Sequence, residues 1–270
     1  MNNFYVVGSP IVQSKSPILF HYIFKKLNIN KTYGSHNIKN IKMLSRFIEQ
    51  CIQNKITGLN VTMPLKETIN NYITIYDQTA QITKAVNCIY FKNNEVIGYN
   101  NDYFGFTKLA ELNNISFKNS NNIVIGSGGS ARSIVLSLIR NNADNIYILA
   151  RNTESSKVLI NDFSLIKKNT NLNILSNQSN LTNCNLINCS PINMLEKTSL
   201  EILNLVPLIQ YNAVIDINYN TSYNHFNFDA SKNINGKSMF IFQALKSLDI
   251  WFETKISNKL SYKELEKILC

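Results

Sequence analysis

Apolar residues recur along this chain in two periods, one suited to strands and one to helices. Residues 4–7 form a short apolar run that ends at Gly8 and predicts a strand. Ser16-Pro17 then supplies a helix cap and first turn. The helix is expected to reach about Leu27, with Ile18, Tyr22 or Ile23, and Leu27 facing inward. Residues 32–37 read as a second strand. Leu44, Phe47, Ile48 and Cys51 share one face of a helix predicted over residues 41–54. A strand over 59–62 is stopped by Met63-Pro64, and a helix restarts at Leu65. Residues 75–86 carry helical spacing. Two runs, 88–91 and 96–99, flank Asn93-Asn94 as a hairpin, and a helix is expected over 104–112.

The next stretch has the most definite order. Ile123-Val124-Ile125 predicts a strand, and the cluster Gly126-Ser127-Gly128-Gly129 a turn. Ile134, Leu138 and Ile139 lie at helical spacing, and residues 146–149 form a second strand. Strand, glycine turn, helix and strand make the βαβ unit that seats a pyrophosphate on a helix N-terminus. Gly126 suits the tight turn and Gly128 a close approach of backbone to phosphate. Ala131, or Gly129 before it, lets the helix lie close on the strand. The spacing is G-x-G-G-x-A rather than the full fingerprint, so a plain structural turn is the competing reading.

The end of the second strand discriminates between cofactors. A carboxylate there would accept from a ribose 2′-hydroxyl. This chain has Ala150-Arg151-Asn152-Thr153 instead. An arginine can pair with a 2′-phosphate and stack on adenine, which favours NADP over NAD. A solvated surface arginine is the alternative. Further strands are expected at 172–175, 186–189 and 214–217, a short helix at 201–205 before Pro207, and helices at 237–248 and 261–269. Trp251-Phe252 is expected to pack between these last two. Strand–helix alternation on both sides of residue 102 argues for an α/β fold in two halves. Chemistry is expected in loops at strand ends: 8–16, 60–66, 100–102, 188–191 and 216–220.

Composition removes several alternatives. At 270 residues the chain can build two modest domains. No secretory pattern and no membrane-length apolar run occurs, so a cytoplasmic protein without membrane partners is expected. Cys51, Cys88, Cys184, Cys189 and Cys270 are odd in number and contain no Cys-x-x-Cys, which suggests neither a disulfide framework nor zinc. His21, His36 and His225 show no metal-ligand spacing, so no metal is expected. The net charge of +10 could signal nucleic acid, but the lysines are scattered. The abundance of Asn, Ile and Lys matches the bias of A+T-rich coding DNA, and no nucleic-acid partner is expected.

Hydride transfer to a carbonyl leaves an alkoxide that needs a proton. With neither histidine nor metal available, the best polar pair at predicted strand ends is Lys66 and Asp102. Desolvation eases proton release from a lysine, and a nearby carboxylate opposes it. By spacing alone, Lys66 reads first as a surface helix lysine.

Longer blocks change that balance. Gly8-Ser9-Pro10-Ile11 through Ser14-Lys15-Ser16-Pro17, then Asn60-Val61-Thr62-Met63-Pro64-Leu65-Lys66, Ala85-Val86-Asn87 and Asn100-Asn101-Asp102, resemble shikimate dehydrogenases. Asn235-Gly236 through Met239 and Gln243 resemble the C-terminal signature of that family. The chain departs from the family pattern at Gln13, at Phe20 (with His21 one place on), and at Asn235, Lys237 and Ser238.

The resemblance implies an N-terminal α/β substrate domain, residues 1–102 with 237–270, and a Rossmann-type NADP-binding domain, residues 103–236. It implies reversible NADPH-dependent reduction of 3-dehydroshikimate to shikimate in chorismate and aromatic amino acid biosynthesis, by a monomer or homodimer. Lys66 and Asp102 would be catalytic. Ser14 and Ser16, helped by Tyr219, would bind the substrate carboxylate. Asn60, Thr62, Asn87, Asp102 and Gln243 would hold ring hydroxyls. Gly126, Gly128, Gly129 and Ser130 would cradle the pyrophosphate and Arg151 would grip the 2′-phosphate, with Ser127, Ala131 and Ala150 also in the cofactor site. Asn188, Cys189, Ile217, Gly236 and Met239 would line the rest of the cofactor site. Rivals are a quinate/shikimate dehydrogenase using NAD, a folate dehydrogenase of similar plan, and a non-catalytic NADP-binding module.

Overall fold

The computed structural model describes residues 3–167, 169–176, 181–192, 201–219 and 226–269. His225, Cys270 and position 220 of the loop at 216–220 lie outside the described residues. The first elements are β1 (Phe4–Gly8), α1 (Ser16–Lys26), β2 (Tyr33–Asn37), α2 (Ile41–Gln53), β3 (Gly58–Val61) and α3 (Leu65–Thr68). They are followed by β4 (Ile75–Tyr76), α4 (Gln78–Thr83), β5 (Cys88–Lys92), β6 (Glu95–Tyr99) and α5 (Asn101–Leu112). Then come β7 (Asn121–Ile125), α6 (Gly129–Arg140), β8 (Asn145–Leu149), α7 (Thr153–Asp162), β9 (Asn171–Ile174) and β10 (Cys184–Asn188). The chain ends with β11 (Ala213–Asp216), β12 (Asn233–Asn235), α8 (Lys237–Trp251) and α9 (Tyr262–Ile268). It divides into two units, Met1–Gly105 with Ile241–Cys270, and Phe106–Phe240. Among the described residues, no helix is long and apolar enough to cross a membrane.

The first unit holds a mixed sheet in the order β2-β1-β3-β5-β6-β4. β1 pairs in parallel with both β2 and β3, so the strand order reverses at the carboxyl end of β1. Such a switch point is where open α/β sheets present ligand-binding loops. β5 and β6 form the antiparallel hairpin, and Asn93 and Asn94 both take positive φ at its tip. Paired positive φ gives the turn whose twist matches the strands, which asparagine tolerates. One face of the sheet packs Tyr5, Val7, Leu59, Val61 and Ile89 against Leu44, Phe47, Ile48 and Cys51 of α2. Near the other end of the sheet an aromatic group stacks Phe20 on Tyr33, with centroids 4.2 Å apart, and Phe4 on Trp251.

The second unit holds a sheet in the order β12-β11-β10-β7-β8-β9, every described pair of neighbours parallel. β7 is central, with β8 on one side and β10 on the other. The glycine turn therefore leaves the sheet at its switch point. α6 is buried along most of its length, including Ile134, Val135 and Leu138.

Four local expectations are corrected. Ile18 is 56% exposed, and α1 instead buries Leu19, Phe20, Ile23 and Phe24. Ser16 is the first residue of α1 rather than its cap, and Ser14 Oγ accepts from Ser16 N. Residues 75–86 are not one helix. Asp77 caps α4 by accepting from Ala80 N, which detaches Ile75-Tyr76 as an edge strand, and Lys84 ends the helix at φ 52°. Trp251 does not sit between α8 and α9; its indole donates to Ile89 O at 2.8 Å and lies over Gly58. A Cβ on Gly58 would come within 2.2 Å of that ring. The helix α7 and the strand β12 were not expected from the pattern. α7 has few buried side chains, and β12 is a three-residue edge.

Candidate active site

In the first unit, the loops that follow β1 and β3 are fastened to each other. Ser9 N donates to Met63 O at 2.9 Å, and Thr62 N to Val7 O at 2.9 Å. Gly8 permits this crossing, because a Cβ there would lie 2.4 Å from Thr62 Cγ2 and 2.7 Å from Met63 O. Leu65 N donates to Thr62 O and starts α3, which carries Lys66. Val86 N donates to Lys66 O at 2.8 Å, fixing that turn against the segment before β5.

Lys66 Nζ donates to Asp102 Oδ2 at 2.5 Å, with side chains 15% and 8% exposed. Asp102 Oδ1 accepts from Asn87 Nδ2 at 2.7 Å. Asn87 Oδ1 in turn accepts from the backbone N–H of Asn101 at 2.7 Å. Asn87 Nδ2 also reaches Gln243 Oε1 at 3.5 Å. Asp102 lies in the first turn of α5, where the helix dipole favours an anion. Asn100 Oδ1 accepts from Tyr103 N and closes that turn. Four predicted residues, Lys66, Asn87, Asp102 and Gln243, thus share one hydrogen-bonded group.

Asn60 lies in a neighbouring network. Its Oδ1 accepts from Tyr33 Oη at 2.7 Å, and its Nδ2 donates to Ser247 Oγ at 2.9 Å. Ser247 also accepts from Asn101 Nδ2 at 3.0 Å and donates to Gln243 O. Tyr33 and Ser247 were missed as site-supporting residues, and Asn101 stood in the Asn100-Asn101-Asp102 block without a role of its own. Ser247 stands four places after Gln243 on α8, a spacing that puts both on one face. Thr62 is half-buried just after β3. Ser16 opens α1 and Ser14 lies two residues before it, and Lys15 between them donates to Leu269 O at 2.5 Å.

In the second unit, Gly126 takes φ 110°, a conformation that L side chains rarely adopt. Its N–H donates to Leu149 O at 2.8 Å, and Cys189 N to Ile125 O at 2.8 Å. Gly128 is the N-cap of α6 and, as a glycine, offers no side-chain cap of its own. Its first N–H groups are thereby suited to an anion. Arg151 is exposed just past β8, and residues 150–153 contain no carboxylate. A positive-φ glycine, a helix that starts on a glycine N-cap and an exposed arginine fit a 2′-phosphorylated dinucleotide.

Other predicted cofactor residues have structural partners as well. Asn188 donates to Asp216 Oδ1 at 3.0 Å and accepts from Ser190 N and Oγ. Gly236 is forced by packing, since a Cβ there would lie 1.8 Å from Ile217 O. Met239 is buried, and Tyr219 stacks on Phe240 with centroids 4.2 Å apart. Cys189 is half-buried at the end of β10.

Comparison with known proteins bears on both units. Residues 6–89 match the family model of the shikimate dehydrogenase substrate binding domain. The NADP(+)-dependent shikimate dehydrogenase of Clostridium botulinum is 36% identical over 255 residues, covering 91% of this chain and 95% of that one. The crystal structure of shikimate dehydrogenase 1 from Peptoclostridium difficile superposes with a TM-score of 0.78 at 25% identity, covering 100% of this chain and 97% of that one. A chorismate mutase/shikimate 5-dehydrogenase fusion protein from Clostridium acetobutylicum gives a TM-score of 0.75 at 26% identity, with 98% and 95% covered. With the fold, the Lys66–Asp102 group and a relative matched over nearly its whole length, this chain belongs to the shikimate dehydrogenase family.

Proposed function

We propose that this chain catalyses the reversible NADPH-dependent reduction of 3-dehydroshikimate to shikimate, an oxidoreductase step on a CH–OH group. The observation that carries the reading is the Lys66–Asp102 contact in a unit that matches the substrate-binding domain of this family. NADPH, when bound, would supply the hydride. As the ring carbonyl becomes an alkoxide, an N–H bond of the Lys66 ammonium breaks and its proton passes to that oxygen. The neutral amine then regains a proton from water. In the reverse direction Lys66 accepts the hydroxyl proton.

Asp102 keeps the Lys66 amine aimed, and Asn87 keeps Asp102 aimed. With Lys66 on one carboxylate oxygen and Asn87 on the other, the carboxylate cannot rotate without breaking a bond. Asn60, Thr62, Asn87 and Gln243 recognise ring hydroxyls, and Ser14 and Ser16 take the substrate carboxylate. Gly126 through Ala131 receive the pyrophosphate on the backbone, and Arg151 pairs with the 2′-phosphate. Asn188, Cys189, Ile217, Gly236 and Met239 frame the remainder of the dinucleotide.

The deciding assay follows NADPH absorbance with and without 3-dehydroshikimate. Consumption that requires the ketone supports the enzyme. NADPH binding without consumption would replace it with a binding module.

A further inference from the structure

Two loops of the second unit, the glycine turn after β7 and the Arg151 segment after β8, are joined by side chains outside the backbone ladder. Ser127 Oγ lies 2.6 Å from Ser155 Oγ. Ser155 Oγ also lies 2.7 Å from Asn152 O. A carbonyl can only accept, so the Ser155 hydrogen goes to Asn152 O. The Ser127 hydrogen must then point to Ser155. The chain of bonds runs in one direction, from Ser127 through Ser155 to the backbone carbonyl next to Arg151. Asn152 closes the same turn, since its Oδ1 accepts from Glu154 N and Ser155 N.

The far end of α7 is held separately. Arg132 Nη2 of α6 pairs with Asp162 Oδ2 at 2.8 Å, with both side chains largely buried. Losing the serine bond would therefore release the start of α7 and the Arg151 segment without unfolding the helix.

We propose that Ser155 is a positioning residue for cofactor discrimination: through Ser127 it fixes the separation between the pyrophosphate turn and the arginine that receives a 2′-phosphate. This rests on the NADP reading above. A dinucleotide with a 2′-phosphate must engage both loops at once, so a variable separation weakens it. One without that phosphate engages chiefly the first loop and is affected less.

The test is calorimetric titration of the full chain with NADP+ and with NAD+. Ser155→Ala is expected to raise the Kd for NADP+ about tenfold and that for NAD+ much less, as one lost hydrogen bond would do. Ser127→Ala, which removes the other end of the bond, should give the same change in ratio. The double variant should be no worse than either single one. Ser155→Thr keeps the hydroxyl and should restore the ratio. Equal losses for both cofactors in Ser155→Ala, or an unchanged ratio in Ser127→Ala should Ser155→Ala not fold, would overturn the proposal. A wild-type chain that fails to bind NADP+ would remove the functional reading itself, and this inference with it.

Discussion

Asn87 is bonded on both sides of its amide: Nδ2 to Asp102 Oδ1 and Oδ1 to the N–H of Asn101, each at 2.7 Å. One side chain just before β5 thus secures both a carboxylate and the start of the helix that bears it. The backbone of Asn87 is bonded as well, to Tyr99 O and from Val61 N. The Asp102 carboxylate therefore inherits the rigidity of the sheet.

Lys66→Ala should lower kcat by about 10²- to 10⁴-fold, the usual contribution of a positioned proton donor. The Kd for NADP+ should stay near the wild-type value. Steady-state kinetics with a separate cofactor titration checks this. Wild-type turnover in the variant would remove Lys66 from its role.

Arg151→Ala should weaken NADPH by about 10- to 100-fold, the range for a lost charge-assisted hydrogen bond. NADH should be nearly unaffected. Parallel KM measurements for the two cofactors decide the matter, and equal losses would reject the 2′-phosphate assignment.

Ser247→Ala leaves the amides of Asn60 and Asn101 without their acceptor in a buried setting. Each unsatisfied donor costs about 1–3 kcal/mol. The denaturant midpoint should fall, and KM for shikimate should rise because Asn60 is released. An unchanged midpoint would mean that the network is dispensable.

Cysteine reactivity provides a check on packing. Burial pushes the thiols of Cys51 and Cys88 up to about 12, and that of Cys184 up to about 11. A raised value keeps the thiol protonated at mildly alkaline pH, and the thiolate is the reactive form. Iodoacetamide should spare these three in the folded protein and label them in denaturant. Mass spectrometry of native samples carrying the label at Cys88 would contradict the core as described.

The glycine turn, the hairpin and the face of α2 were legible because each is a local pattern with one physical solution. The blocks around Lys66 and Asp102 were legible by resemblance, though spacing alone favoured a surface lysine. The segment at 75–86 misled because Ile75 belongs to a sheet edge, a tertiary choice that helical spacing cannot anticipate. α1 misled because the chain buries Phe20 against Tyr33 and Trp251, and Phe24 against Phe4 and Phe20, rather than Ile18. Ser247 was invisible for another reason: its importance depends on Asn60 and Asn101, which come from elements far away in sequence.

Trp251 is the sole tryptophan of the chain, and it lies in the core of the first unit with its indole N–H bound to Ile89 O. Emission excited at the red edge of the indole band therefore originates from that unit alone. Melting of the second unit would leave the spectrum dark to the event, whereas loosening of the first would move its maximum toward longer wavelengths. The protein carries its own optical probe for asking which half yields first.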